Sequence, residues 1–112
     1  MPADVVLDLK AMRAAAGQAG ELMRVLSNPD RLLLLCQLAQ GERCVSELET
    51  LTSILQPTLS QQLGVLREAQ LVSTRRAGKQ IFYSIASDDA LAVIETLYNR
   101  FCCQRSQRGK RK

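Results

Sequence analysis

Residues 46–69 read SELETLTSILQPTLSQQLGVLREA and set two helix starts close together. Ser46-Glu47-Leu48-Glu49 has the form of a capping box, a serine that accepts from the backbone with a glutamate three residues later. It predicts a short helix ending near Thr52. Gln56-Pro57 marks the second start, because proline suits a first helical turn. From Thr58 to about Ala69, Leu59, Leu63 and Leu66 fall on one stripe at i, i+4, i+7. The other face carries Thr58, Ser60, Gln61, Gly64 and Arg67. Two short helices joined by a tight connection form a helix-turn-helix. The second has what a recognition helix needs: short hydrogen-bonding side chains in its first turn and an apolar back. Gln and Ser read base edges in a major groove, so Gln56, Thr58, Ser60 and Gln61 are the candidate DNA-reading residues. The leucine stripe is core.

Downstream, Leu71–Arg76 and Gln80–Ile85 read as two strands joined by a turn at Ala77-Gly78-Lys79. Arg75, Arg76 and Lys79 cluster at the tip. A basic hairpin directly behind a recognition helix is a wing, suited to phosphates or the flanking minor groove. The last helix runs from Asp88 or Asp89 to about Gln104. Its apolar residues Leu91, Ile94, Leu97, Tyr98 and Phe101 make a surface too broad for a solvated helix. It reads as a dimer interface, with the first helix contributing. Upstream, Lys10–Leu26 reads as an Ala-rich helix weakened at Gly17 and Gly20. Asn28-Pro29-Asp30 then combines a cap, a first-turn proline and an acid at the positive end of the helix dipole. The helix it starts is apolar nearly all round, central, carries Cys36, and stops near Gly41. The expected fold is therefore mainly α with a small β-hairpin, a winged helix-turn-helix dimerising through its N- and C-terminal helices. Residues 1–104 form that one domain, and 105–112 form a basic, disordered tail.

Composition narrows the chemistry. The chain has 112 residues and no histidine, which removes the commonest general base and metal ligand. Serine-hydrolase triads, HExxH proteases, classical zinc fingers and His-rich metal sensors are excluded. Aromatic residues are only 4% with no Trp, which argues against base-stacking platforms. Much of the net charge of +4 comes from the tail, where Arg105, Arg108, Lys110, Arg111 and Lys112 face no acid. More telling, positions 50–87 carry Arg67, Arg75, Arg76 and Lys79 against Glu68 alone. The N-terminal MPADVVLDLK lacks a secretory pattern, and the longest apolar run, Leu32–Cys36, is too short for a membrane. The expected location is the cytoplasm, with no membrane association. There Cys36, Cys44, Cys102 and Cys103 are thiols rather than disulfides.

Asn28-Pro29-Asp30-Arg31-Leu32, Ser46-Glu47-Leu48, Gln56-Pro57-Thr58-Leu59-Ser60-Gln61-Gln62-Leu63, Leu66-Arg67-Glu68-Ala69 and Arg75-Arg76-Ala77-Gly78-Lys79 through Tyr83-Ser84-Ile85 together resemble the ArsR/SmtB family. The resemblance spans roughly positions 15–103. It implies a dimeric bacterial repressor with a winged helix-turn-helix, released from double-stranded operator DNA by an inducer, and not an enzyme. Metal-binding members carry a motif of the type ELCVCD before the recognition helix. Here that stretch is Glu47-Leu48-Glu49-Thr50-Leu51-Thr52, without cysteine, and the Asp/His site on the last helix has no His to build it. Neither a metal nor a cofactor is expected. Cys36 and Cys102 instead resemble the thiol pair of the BigR-like subgroup, in which sulfide-derived persulfides link two cysteines through a di- or polysulfide. The chain departs from the family at Cys103, at Cys44, and at Gln70, where glycine is usual.

Alternatives stay open at this level. A lone cysteine in LLLLC would pack as a small hydrophobe, but the match at Cys102 favours sensing. Adjacent helical residues point about 100° apart, so Cys102 and Cys103 cannot both face Cys36. Cys102 is the expected partner, with Cys103 exposed and Cys44 a surface or strand thiol. Arg100 and Arg105 would favour a Cys102 thiolate, while a helix C-terminus opposes it. Trivalent arsenic or antimony is a rival inducer, held by Cys102 and Cys103 with Cys36 or Cys44. Inert thiols are a second rival. A small thiol sulfur-carrier enzyme is a third, poorly supported without a CxxC or a base.

Overall fold

The computed structural model describes residues 8–103. The tail 105–112, Gln104 and the side chain of Cys103 lie outside them. Asp8 Oδ1 accepts from the Lys10 amide at 2.9 Å and opens α1, Leu9–Leu26. Asn28 Oδ1 accepts from the Arg31 amide at 3.0 Å and caps α2, Pro29–Ala39, with Asp30 in its first turn. A two-residue β1, Arg43–Cys44, leads into α3, Val45–Thr52, and then α4, Thr58–Glu68. The wing is β2, Val72–Ala77, and β3, Gln80–Ile85, followed by α5, Asp88–Tyr98, whose cap is Ser87. The chain then widens into a π-helical turn, Asn99–Cys103.

Among the described residues the expected winged helix-turn-helix is present, with five α-helices and a small antiparallel sheet. One core holds it together. Leu34 and Leu35 of α2, Leu48 of α3, Leu59, Leu63 and Leu66 of α4, and Ile94 of α5 are essentially sealed from solvent. The predicted leucine stripe of α4 is thus its buried face. Gln70 leaves α4 with φ 63°, in the left-handed region where glycine is favoured.

Five local expectations need correction. The capping box of α3 is set two residues earlier: Cys44 is the N-cap, and its amide donates to Glu47 Oε1 at 2.9 Å. Val45 is already helical, so Ser46 lies inside the helix, with its Oγ 3.2 Å from Cys44 Sγ. The hairpin is part of a three-stranded sheet in the order β1-β3-β2, because Arg43 pairs with Tyr83 and Cys44 with Phe82. That pairing makes Cys44 a buried strand thiol rather than a surface one. The final helix loses its α geometry at Asn99, so Cys102 and Cys103 sit on a wider turn than the expected α register to Gln104. Ile94 is 1% exposed within a single chain and belongs to the core against α2, so it has no surface to give to a partner.

Candidate DNA-reading surface and thiol cleft

At the start of α4 the Pro57 side chain offers no cap atom, although the Leu55 carbonyl accepts from the Leu59 amide at 3.0 Å. Gln56 Oε1 accepts from the Ser60 amide at 3.1 Å. Gln56 therefore caps α4. Ser60 and Gln61 are exposed and Thr58 is half-buried. Leu55, which sequence reasoning missed, is 67% exposed in the turn directly before them. Its only sequence signal is an apolar residue directly before the Gln56-Pro57 turn.

A second support fixes α4 from behind. Arg31 of α2 donates from Nη1 to Gln62 Oε1 at 2.8 Å and from Nε to the Val25 carbonyl at 2.6 Å. In the sequence Arg31 stands only as a member of the Asn28-Pro29-Asp30-Arg31-Leu32 motif. Its partners lie on α1 and α4, which no local pattern reveals.

The wing tip turns at Gly78 with φ 63°, a conformation glycine adopts at little cost. Arg75, Arg76 and Lys79 are all exposed, as expected of a basic tip. Arg75 is nevertheless engaged. Its Nε and Nη2 donate to the two oxygens of Glu42 at 2.9 and 2.7 Å, and its guanidinium lies 4.9 Å from the centroid of the Phe82 ring. The Arg75 guanidinium holds the Glu42 carboxyl below its ordinary range by hydrogen bonding and charge.

The thiols occupy another part of the molecule. Cys36 is half-buried on α2 and lines a cleft of about 580 Å³ with Ala39, Gln40, Ile94, Glu95, Tyr98 and Asn99. This cleft separates the ends of α2 and α5. Cys102 is exposed on the turn that continues α5. Burial, and secondarily the nearby Cys102, push the Cys36 thiol up from its ordinary value. Cys36, Cys44 and Cys102 are free thiols. Cys44 is on β1, outside this cleft. Among the described residues, no group of three or more His, Cys, Asp or Glu is arranged to hold a metal ion.

Residues 28–74, from the α2 cap to the middle of β2, match the family model for the bacterial regulatory protein, arsR family. A biofilm growth-associated repressor of Agrobacterium fabrum (strain C58 / ATCC 33970) is 55% identical over 96 residues, spanning 86% of this chain and 82% of that protein. The chain belongs to the ArsR family. Its fold agrees with solved ArsR-type structures. The transcriptional repressor BigR from Xylella fastidiosa superposes with a TM-score of 0.79 at 47% identity, covering 86% of this chain and 98% of that one. Reduced HlyU from Vibrio cholerae N16961 superposes with a TM-score of 0.80 at 34% identity, covering 83% and 98%. These relatives of the ArsR chain are transcriptional regulators.

Of the helix residues expected at an ArsR dimer interface, Leu91 and Leu97 are half-buried, while Tyr98 and Phe101 are 43% and 65% exposed. On α1, Leu9 is 70% exposed and Met12 41%. No helix of the described residues is long and apolar enough to cross a membrane.

Proposed function

We propose that this transcriptional repressor of the ArsR family binds operator DNA as a homodimer and lets go when Cys36 and Cys102 react with sulfide-derived persulfides. Thr58, Ser60 and Gln61 enter the major groove, capped by Gln56, while Arg76 and Lys79 of the wing meet phosphates. Arg75 shares the wing, with its guanidinium directed to Glu42. The solvent-exposed Leu9 and Met12 of α1 and Tyr98 and Phe101 at the end of α5 are the apolar surface a second copy would cover. Leu91 and Leu97 would lose their remaining exposure there. The location that fits this role is the cytoplasm.

The observation that carries the thiol reading is the cleft: Cys36 opens into it from α2, and Cys102 follows on the element that forms its other wall. Each thiolate takes one sulfane sulfur from a persulfide donor, which leaves as its thiol. Attack of one cysteine persulfide on the other expels hydrogen sulfide and leaves a bridge of three sulfurs. A direct disulfide needs Cα atoms within about 7 Å, whereas a longer sulfur chain tolerates wider spacing. The bridge ties α2 to the end of α5. Through Arg31 and Gln62, α2 also holds the reading helix. A bias of about 1.4 kcal/mol between competent and incompetent states lowers affinity tenfold.

Intact mass before and after glutathione persulfide, paired with DNA binding, tests this reading. Sulfur should be gained in single-atom steps, with Cys36→Ser and Cys102→Ser binding DNA yet ignoring the persulfide and Cys103→Ser still responding. Normal release from DNA in Cys36→Ser refutes the pair. Release by arsenite with a metalloid mass adduct moves the sensing role to a thiolate-bound metalloid.

A further inference from the structure

The DNA reading of the wing leaves one of its arginines unexplained. Arg75 on β2 lies directly opposite Phe82 on β3, which lies opposite Cys44 on β1, so one row crosses all three strands. Residues paired across strands project to the same face. The Arg75 guanidinium rests over Phe82, and its Nε and Nη2 are both taken by Glu42, the residue immediately before β1. A phosphate in the place of Glu42 would have to displace a bidentate carboxylate and leave that negative charge beside the DNA backbone. Arg76 and Lys79 have no such partner among the described residues and stay open to solvent. The ion pair is exposed, and exposed pairs add little to overall stability, so its consequence is geometric.

We propose that Glu42 and Arg75 are positioning residues that brace the wing from the loop before β1 and so aim Arg76 and Lys79 at the DNA, Arg75 itself making no phosphate contact. This rests on the reading of the wing as a phosphate-contacting element. The brace joins the outer strand β2 to the base of the helix-turn-helix across β3. It therefore ties the wing to the start of α3, which begins directly after Cys44.

The test measures binding of the full-length protein to a fluorescent duplex selected from random sequence on the wild type, across a series of salt concentrations. Each variant is first checked for an unchanged thermal midpoint and circular dichroism. Glu42→Gln and Arg75→Ala should each weaken binding about tenfold, with the double variant no worse than either single one. Their slopes of log affinity against log salt should match the wild type, whereas Lys79→Ala and Arg76→Ala should each flatten the slope by about one. If Arg75→Ala flattens the slope by about one, or Glu42→Gln tightens binding by freeing Arg75, Arg75 is a phosphate contact and the proposal is overturned. Unchanged affinity in both variants overturns it as well. If Lys79→Ala and Arg76→Ala leave the slope untouched, the wing reading itself has failed, and the brace with it.

Discussion

Arg31 Nη1 donates to Gln62 Oε1 at 2.8 Å, joining the helix that carries Cys36 to the helix that presents Ser60 and Gln61. With its Nε on the Val25 carbonyl, one guanidinium fixes three helices. A hydrogen bond from a charged donor in a part-buried site contributes about 1.5–3 kcal/mol. Arg31→Ala should lower unfolding free energy in urea by that amount and weaken DNA binding further than the stability loss explains. Wild-type DNA affinity in a folded Arg31→Ala protein would show that α4 does not depend on this link.

Ile94 is sealed in the core while Phe101 is exposed, so the two distinguish core from proposed interface. Ile94→Ala leaves a cavity against α2 and should destabilise by about 2–5 kcal/mol, equally at all protein concentrations if the loss is within one chain. Phe101→Ala removes exposed apolar surface and should raise the dimer dissociation constant in sedimentation with little effect on the folded monomer. The reverse pattern would return Ile94 to the interface.

Gln70 sits at φ 63° at the exit of α4. A side chain there is strained relative to glycine, so Gln70→Gly should raise the urea midpoint, with a gain in unfolding free energy of up to about 1 kcal/mol. A lower midpoint would mean that the Gln70 side chain makes contacts outweighing the backbone strain.

Gln61 is exposed on the first turns of α4 and has the donor and acceptor pair that adenine requires. Gln61→Ala should cost about 1–3 kcal/mol on a selected duplex while leaving binding to random DNA unchanged. Equal loss on both duplexes would place Gln61 on the backbone and remove it from base reading.

Burial and the neighbouring Cys102 raise the Cys36 thiol. The half-point for iodoacetamide labelling of Cys36, followed by peptide mass spectrometry against pH, should lie above that of free cysteine. Cys102→Ser should lower it, since the Cys102 contribution to raising it is removed. The folded chain holds this proton more tightly than the unfolded chain, so the contribution to stability is fully present below the unfolded thiol value. It is lost as pH rises through the folded one. A Cys36 half-point below that of free cysteine would require an unrecognised positive neighbour.

The sequence alone determined the order of the helices, the helix-turn-helix and the wing hairpin, because these are written in local chemistry. Asn28-Pro29-Asp30, the Leu59/Leu63/Leu66 stripe and the Ala77-Gly78-Lys79 turn each act over a few residues, and the residues themselves carried the family resemblance. Even the misplaced cap of α3 erred by only two positions, since Glu47 serves Cys44 just as Glu49 would serve Ser46. The tertiary structure decided what depends on residues far apart in the chain. Ile94 became core because α2 covers it, and Cys44 became buried because β1 joins β3. Arg31 meets Gln62 across 31 positions and Arg75 meets Glu42 across 33. Periodicity tells which face of a helix is apolar. It does not tell which neighbour takes that face, and a charged side chain has no sequence period that names its partner.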